Sequence, residues 1–185
     1  MTSKKVVELF YDVVSPYSWL GFEVMCRYRH VWNIELKLRP AFLAGIMQGS
    51  GSLSAMRFVA AVQEREKGGD KQVERVSREL WKRIWSEDKD ITEPASLAEA
   101  AMKAGLSDRE IKEVLELSTS KEVKNKLKST TQDALDHGAF GFPMLVCHVN
   151  GKPEMFFGSD RFELMAHCIG EKWLGPQPDK STAKL

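Results

Sequence analysis

Cysteine is scarce in this 185-residue chain: Cys26, Cys147 and Cys168 are an odd set with no C-x-x-C or zinc-ligand spacing. A disulfide framework is therefore excluded as the organising feature, and so is dithiol redox chemistry. Histidine is equally sparse, and His30, His137, His148 and His167 match no zinc pattern, so no metal is expected. Long apolar runs are missing too. No segment reads as a bilayer span or a signal-peptide core, and no membrane insertion is expected. Charge of one sign is not in excess: 27 Lys and Arg stand against 26 Asp and Glu, which removes the electrostatic reason to expect nucleic acid. These absences leave a soluble intracellular protein, long enough for one compact core or for one domain inserted into another.

The hydrophobic pattern then orders the chain. Val6–Val14 reads as a strand, Tyr17–Val31 as a helix with Leu20, Val24, Tyr28 and Val31 at three- and four-residue spacing, and Ile34–Leu38 as an alternating strand. This opening is a βαβ unit with an at least partly parallel sheet. Glycines at 45, 49 and 51 mark a loop. Five helical segments follow, at Leu53–Gln63, Gln72–Trp85, Pro94–Ala104, Ser107–Leu117 and Ser120–His137, with a capping box at Ser107 and Glu110. The apolar positions Phe58, Val62, Leu80, Trp81, Ile84 and Trp85 are expected in the core. Pro143–Val149 and Glu154–Phe157 read as a hairpin about Asn150-Gly151, and Asp160–Trp173 as a last helix with Asp160 as N-cap. The order βαβ, helical block, ββα predicts an α/β, thioredoxin-like fold with an inserted all-helical domain. Its divisions are 1–51 and 140–175 for the sheet domain, 52–139 for the insertion, and 176–185 for a flexible polar tail.

Ser15-Pro16-Tyr17-Ser18 occupies the strand-to-helix junction, where a thioredoxin-type enzyme carries its two cysteines. A helix N-terminus favours negative charge, and a serine there donates to an anion. With no cysteine in place, the reactive sulfur has to arrive on a ligand. The same serine also suffices as a simple helix cap. Gly141-Phe142-Pro143 precedes the returning strand and places backbone groups of Phe142 where an extended peptide could pair. Ser159 and Asp160 sit at another helix start, with a hydroxyl and a carboxylate suited to an amino-acid terminus. The combined target resembles a γ-glutamyl tripeptide thiol.

Phe10-Tyr11-Asp12-Val13-Val14-Ser15-Pro16-Tyr17-Ser18-Trp19, Gly138–Pro143, Phe157–Arg161 and Gly170-Glu171-Lys172-Trp173 closely resemble kappa-class glutathione transferases. The resemblance implies a DsbA-like thioredoxin domain with helical insertion, a homodimer, and mitochondrial or peroxisomal residence. It also implies glutathione as cosubstrate, conjugation of its thiolate to electrophiles such as halogenated aromatics, and an accompanying peroxidase activity. Carried over by motif, Ser15 faces the thiol, Pro16 and Tyr17 adjoin it, Phe142 pairs with the cysteinyl backbone, and Ser159 and Asp160 hold the γ-glutamyl end. The terminal Ala183-Lys184-Leu185 is a variant of the Ser-Lys-Leu peroxisomal address.

The chain departs from the family after Gly51. There the family continues with an asparagine that contacts glutathione, a basic contact and further helical structure, whereas this chain runs directly into Ser52-Leu53-Ser54-Ala55. Such an internal deletion is expected to bare apolar surface and to remove one wall of the glutathione site. It keeps two other readings open: a glutathione-dependent isomerase of the related type, and a non-catalytic binding or chaperone-like variant.

Overall fold

The computed structural model describes residues 3–43, 51–67 and 69–179. Four strands form one sheet in the order β2-β1-β3-β4. Strand β1 (Lys5–Tyr11) is followed by helix α1 (Pro16–Tyr28) and strand β2 (Ile34–Pro40), which pairs with β1 in parallel. Helices α2 (Leu53–Glu66), α3 (Lys71–Trp85), α4 (Pro94–Lys103), α5 (Asp108–Ser118) and α6 (Lys121–Asp136) all fall before the sheet resumes. Strands β3 (Met144–Val149) and β4 (Lys152–Phe157) form the antiparallel hairpin, β3 also pairs antiparallel with β1, and α7 (Phe162–Ile169) closes the order. The expected thioredoxin-like sheet with interposed helices is thus present.

Strand β1 lies between two neighbours and is buried on both faces. Its Val7, Leu9 and Tyr11 join the large core under α1 and α7, while Phe10 packs on the opposite face with Ala134 of α6, Phe142, Met144 and Val146. Phe58, Val62, Leu80 and Trp81 are fully buried, as their spacing predicts, whereas Trp85 is 49% exposed. Trp81 ties the helices to the sheet. Its ring lies 4.9 Å from that of Phe22 and 5.5 Å from that of Tyr11, and it stacks with Trp19 at 6.1 Å. Tyr11 itself shares a buried hydrogen bond of 2.9 Å with Ser77 of α3. The helical block and the sheet therefore share a continuous core.

Helix ends follow local chemistry. Ser107 accepts from the Glu110 N–H, and Glu110 accepts from the Ser107 N–H at 2.8 Å, the reciprocal capping box. Three expectations are corrected. Strand β1 ends at Tyr11 rather than Val14, because the Asp12 side chain accepts from the Val14 N–H at 3.0 Å and the Asp12 carbonyl from the Ser15 N–H at 3.1 Å, turning the chain. Asp160 is not the N-cap of α7; Arg161 occupies that position, and the exposed Asp160 carboxylate lies by Gly158 and 3.7 Å from the Arg161 guanidinium. The helix stops at Ile169 rather than Trp173, because Gly170 takes φ 70° and the Glu171 N–H bonds back to the Ala166 carbonyl at 2.8 Å.

Trp173 instead stacks against Tyr28 and Phe162, at 5.0 and 5.4 Å. The start of the polar tail is tied down as well. The Tyr28 hydroxyl donates to the Gly175 carbonyl at 2.7 Å, and Arg27 donates to the Pro176 carbonyl at 2.8 Å. Ala183-Lys184-Leu185 and residues 44–50 of the glycine-marked loop lie outside the described residues.

Replacing Trp81 by alanine is expected to cost about 3–5 kcal/mol of folding stability by opening a cavity between sheet and helices. Urea unfolding followed by circular dichroism measures this, and a loss below about 1 kcal/mol would show that the two parts do not share a core.

Candidate functional site

Ser15 caps α1 and is held from every side. Its carbonyl accepts from the Trp19 N–H at 3.3 Å and from the Trp81 indole N–H at 3.1 Å. Its hydroxyl oxygen accepts from the Ser18 N–H at 3.1 Å, and the hydroxyl donates to the Phe142 carbonyl at 3.3 Å. The residue is only 6% exposed. Pro16 occupies the first helical turn, where its missing N–H costs nothing. Tyr17 turns outward and is 65% exposed.

The Phe142–Pro143 peptide bond is cis, and Pro143 accepts from the Gly158 N–H at 2.9 Å. Gly21, one and a half turns into α1, allows this segment to approach. A β-carbon there would stand 3.3 Å from Pro143 Cγ and 3.9 Å from Ser159 Cβ. Ser15, Phe142-Pro143 and Ser159 therefore converge on one half of α1. Asp160 is exposed beside them, with Val24, Phe162, Glu163 and Trp173 lining a hollow of about 220 Å³ around Ser159 and Asp160. This is a strip of polar groups, with Ser15 at the α1 N-terminus and Ser159 and Asp160 at the far end.

The spacing argument did not reach Asp12, on which this strip rests. Its fully buried carboxylate accepts from three segments: the Val14 N–H at 3.0 Å, the Leu43 N–H at 2.8 Å and the Ser52 hydroxyl at 2.8 Å. Burial raises its pKa to about 6, against the lowering effect of these donors. One local signal was available, since an Asp just past a strand favours an Asx turn, its side chain accepting from the N–H two residues on. The contacts to Leu43 and Ser52, 31 and 40 residues away, leave no such trace. Ser18, at the position of the second cysteine, has a buried hydroxyl without a hydrogen-bond partner among the described residues.

A strand-end hydroxyl on a helix N-terminus, facing a cis-proline in a thioredoxin-like sheet, defines a DsbA-type architecture without its thiols. A family model of the DSBA-like thioredoxin domain matches residues 6–170. Among solved structures, the chain is similar to the cytosolic disulfide reductase DsbM from Pseudomonas aeruginosa, at 13% identity with a TM-score of 0.66, covering 94% of this chain and 93% of that one. It is also similar to a 2-hydroxychromene-2-carboxylate isomerase, at 15% identity with a TM-score of 0.57, covering 89% and 94%. These likenesses establish the fold.

Sequence relatives are more specific. Glutathione S-transferase kappa 1 of Homo sapiens is 44% identical and that of Rattus norvegicus 45%, each over 224 aligned positions and 98% of both chains. The chain belongs to the kappa-class glutathione S-transferases. Because 185 residues cannot fill 224 positions, these relatives carry aligned segments with no counterpart here.

The raised pKa of Asp12 has a defined sign. The folded state holds this proton more tightly than the unfolded chain, so the group's contribution to stability is greatest below about pH 4 and declines as pH rises to about 6. The full difference is about 3 kcal/mol. Asp12→Asn is expected to remove this part of the pH dependence in urea unfolding between pH 4 and 7; parallel profiles for the two proteins would show that Asp12 titrates normally.

Proposed function

We propose that the protein conjugates the thiolate of glutathione to small electrophiles such as halogenated aromatics, with Ser15 stabilising the bound sulfur. The observation that carries this is the Ser15 hydroxyl, placed at the α1 N-terminus and donating to the Phe142 carbonyl. A peptide lying along Phe142-Pro143 offers its cysteinyl N–H to that carbonyl. The single Ser15 proton then turns to the sulfur, while the Ser18 N–H continues to hold the hydroxyl oxygen. Ser159 receives the γ-glutamyl carboxylate and Asp160 its ammonium.

The chemistry needs no nucleophile from the protein. The thiol proton passes to water, the thiolate forms a C–S bond to the ring carbon, and the halide leaves with the C–halogen electron pair. A hydrogen bond to a charged group contributes roughly 1.5–3 kcal/mol, and each pKa unit corresponds to about 1.36 kcal/mol, so Ser15 accounts for about one to two units of thiol acidification. The α1 N-terminus adds to this in the same direction. In peroxide reduction the same thiolate would attack a peroxide oxygen, the S–O bond forming as the O–O bond breaks and the alcohol leaves with a proton from water; a second glutathione then displaces water from the sulfenic acid to give the disulfide.

The isomerase reading has support in fold alone, at 15% identity, and is weaker than relatives at 44–45%. A homodimer rests on the family resemblance. Residence in the peroxisome rests on Ala183-Lys184-Leu185, and a mitochondrial location on the resemblance.

Ser15→Ala is expected to raise the apparent pKa of bound glutathione by about one to two units, read by ultraviolet absorbance of the thiolate. An unchanged pKa in a folded variant removes Ser15 from the mechanism. An aromatic halide and a hydroxychromene carboxylate assayed side by side separate the transferase from the isomerase. For location, residues 176–185 fused to a fluorescent protein should direct it to peroxisomes, and removal of the last three residues should abolish this; diffuse fluorescence from the complete tail refutes the address.

A further inference from the structure

A second cavity of about 410 Å³ opens between the end of β2, the first turn of α2 and the outer face of α6. That volume falls in the range of about 300–1,000 Å³ typical of small-molecule sites. Its walls have two kinds of chemistry. Phe42, Leu53, Leu127 and Leu135 supply an apolar surface, and Phe42 is fixed in place by its N–H donating to the Thr131 hydroxyl of α6 at 3.0 Å. Thr131 is held in turn, donating to the Leu127 carbonyl at 2.8 Å. The rest of the lining is polar, the neutral amides Asn125 and Gln132 beside three cations.

Arg57 reaches in from α2, and Lys124 and Lys128 from α6. Among the described residues no carboxylate lines the cavity and none of these three cations has an ion-pair partner. Six cations elsewhere are compensated, while Arg75, Lys112, Lys121 and Lys126, like the cavity's three, have no ion-pair partner among the described residues. Arg29, Arg39, Arg65, Arg78, Arg83 and Lys103 are each paired with glutamate or aspartate. Lys124 and Lys128 are also four residues apart on one helix, where like charges repel. Three uncompensated cations around an apolar floor attract an anion that brings a hydrocarbon body with it.

We propose that this cavity binds an amphipathic monoanion, a carboxylate or sulfonate on an aliphatic or aryl body. The body lies on Phe42, Leu53 and Leu135, and the charged head lies among Arg57, Lys124 and Lys128. The site is separate from the Ser15 strip and does not depend on the glutathione reading. Free fatty acids and aryl acids share this chemistry, and decanoate is the simplest probe.

Isothermal titration of the full chain with decanoate is expected to show saturable binding of one equivalent. Decanol, with the same chain and no charge, should bind about tenfold more weakly, and so should decanoate on the Arg57→Gln/Lys124→Gln/Lys128→Gln protein. Leu135→Glu, which places a like charge on the apolar wall, should weaken decanoate by at least as much. Lys121→Gln, on the same helix outside the cavity, and Ser15→Ala should leave it unchanged. The proposal is overturned if decanoate fails to saturate below about 1 mM, if decanol binds as well as decanoate, or if Lys121→Gln weakens binding as much as the triple substitution. Thermal unfolding of each variant checks that it is folded, and Leu135→Glu alone decides the question if the triple variant is not.

Discussion

One buried carboxylate holds the functional end of the sheet together. Asp12 accepts from the β1–α1 turn, from the chain leaving β2 and from the serine that precedes α2. Burying a charge is costly unless donors surround it, and three donors keep this one ionisable near pH 6 rather than far above it. The arrangement fixes where the β1–α1 turn ends. That turn in turn sets Ser15, whose N–H bonds to the Asp12 carbonyl. The position of the candidate thiol-binding hydroxyl therefore depends on a residue that does not face the ligand strip.

Exchanging cysteine for serine at this junction changes what the fold can do. A thiol on a helix N-terminus is acidified and becomes a nucleophile of the protein itself. A hydroxyl is not ionised at neutral pH, so the same electrostatic environment can act only on an anion brought from outside. In the proposed function the Ser15 proton has two claimants, the Phe142 carbonyl seen here and a bound sulfur. In that proposal the Phe142 carbonyl is the point at which peptide binding and thiolate stabilisation are linked, because a ligand N–H that satisfies it would leave the serine proton for the sulfur.

Periodicity made the fold legible where packing is local to an element. The helical segments from Leu53 to His137, the hairpin about Asn150-Gly151 and the buried set Phe58, Val62, Leu80 and Trp81 follow from spacing and turn chemistry. It misread element ends where a side chain or a glycine intervenes. Asp12 turns the chain so that β1 ends three residues before the apolar run stops, and Gly170 ends α7 while the sequence still looks helical. Asp160 looked like a cap from its spacing to Glu163, yet its carboxylate lies toward Gly158. The Ser15 motif was readable because strand, proline and helix are contiguous. The contacts of Asp12 with Leu43 and Ser52, and of Trp81 with Tyr11 and Ser15, were not, since those partners lie dozens of residues away and only the tertiary fold brings them together.

The shortening of the chain relative to its relatives fits the same physical picture. The resemblance puts the missing segment after Gly51, and the flanking Leu43 and Ser52 both donate to Asp12. A hub that ties both flanks to the β1–α1 turn holds the Ser15 region in register in this shortened chain. Phe42 and Leu53, which border the same junction, are left half-buried beside the cations of α6. The junction that the resemblance marks for the missing segment thus borders an apolar, basic cavity here, and the occupant of that cavity is a question about this chain.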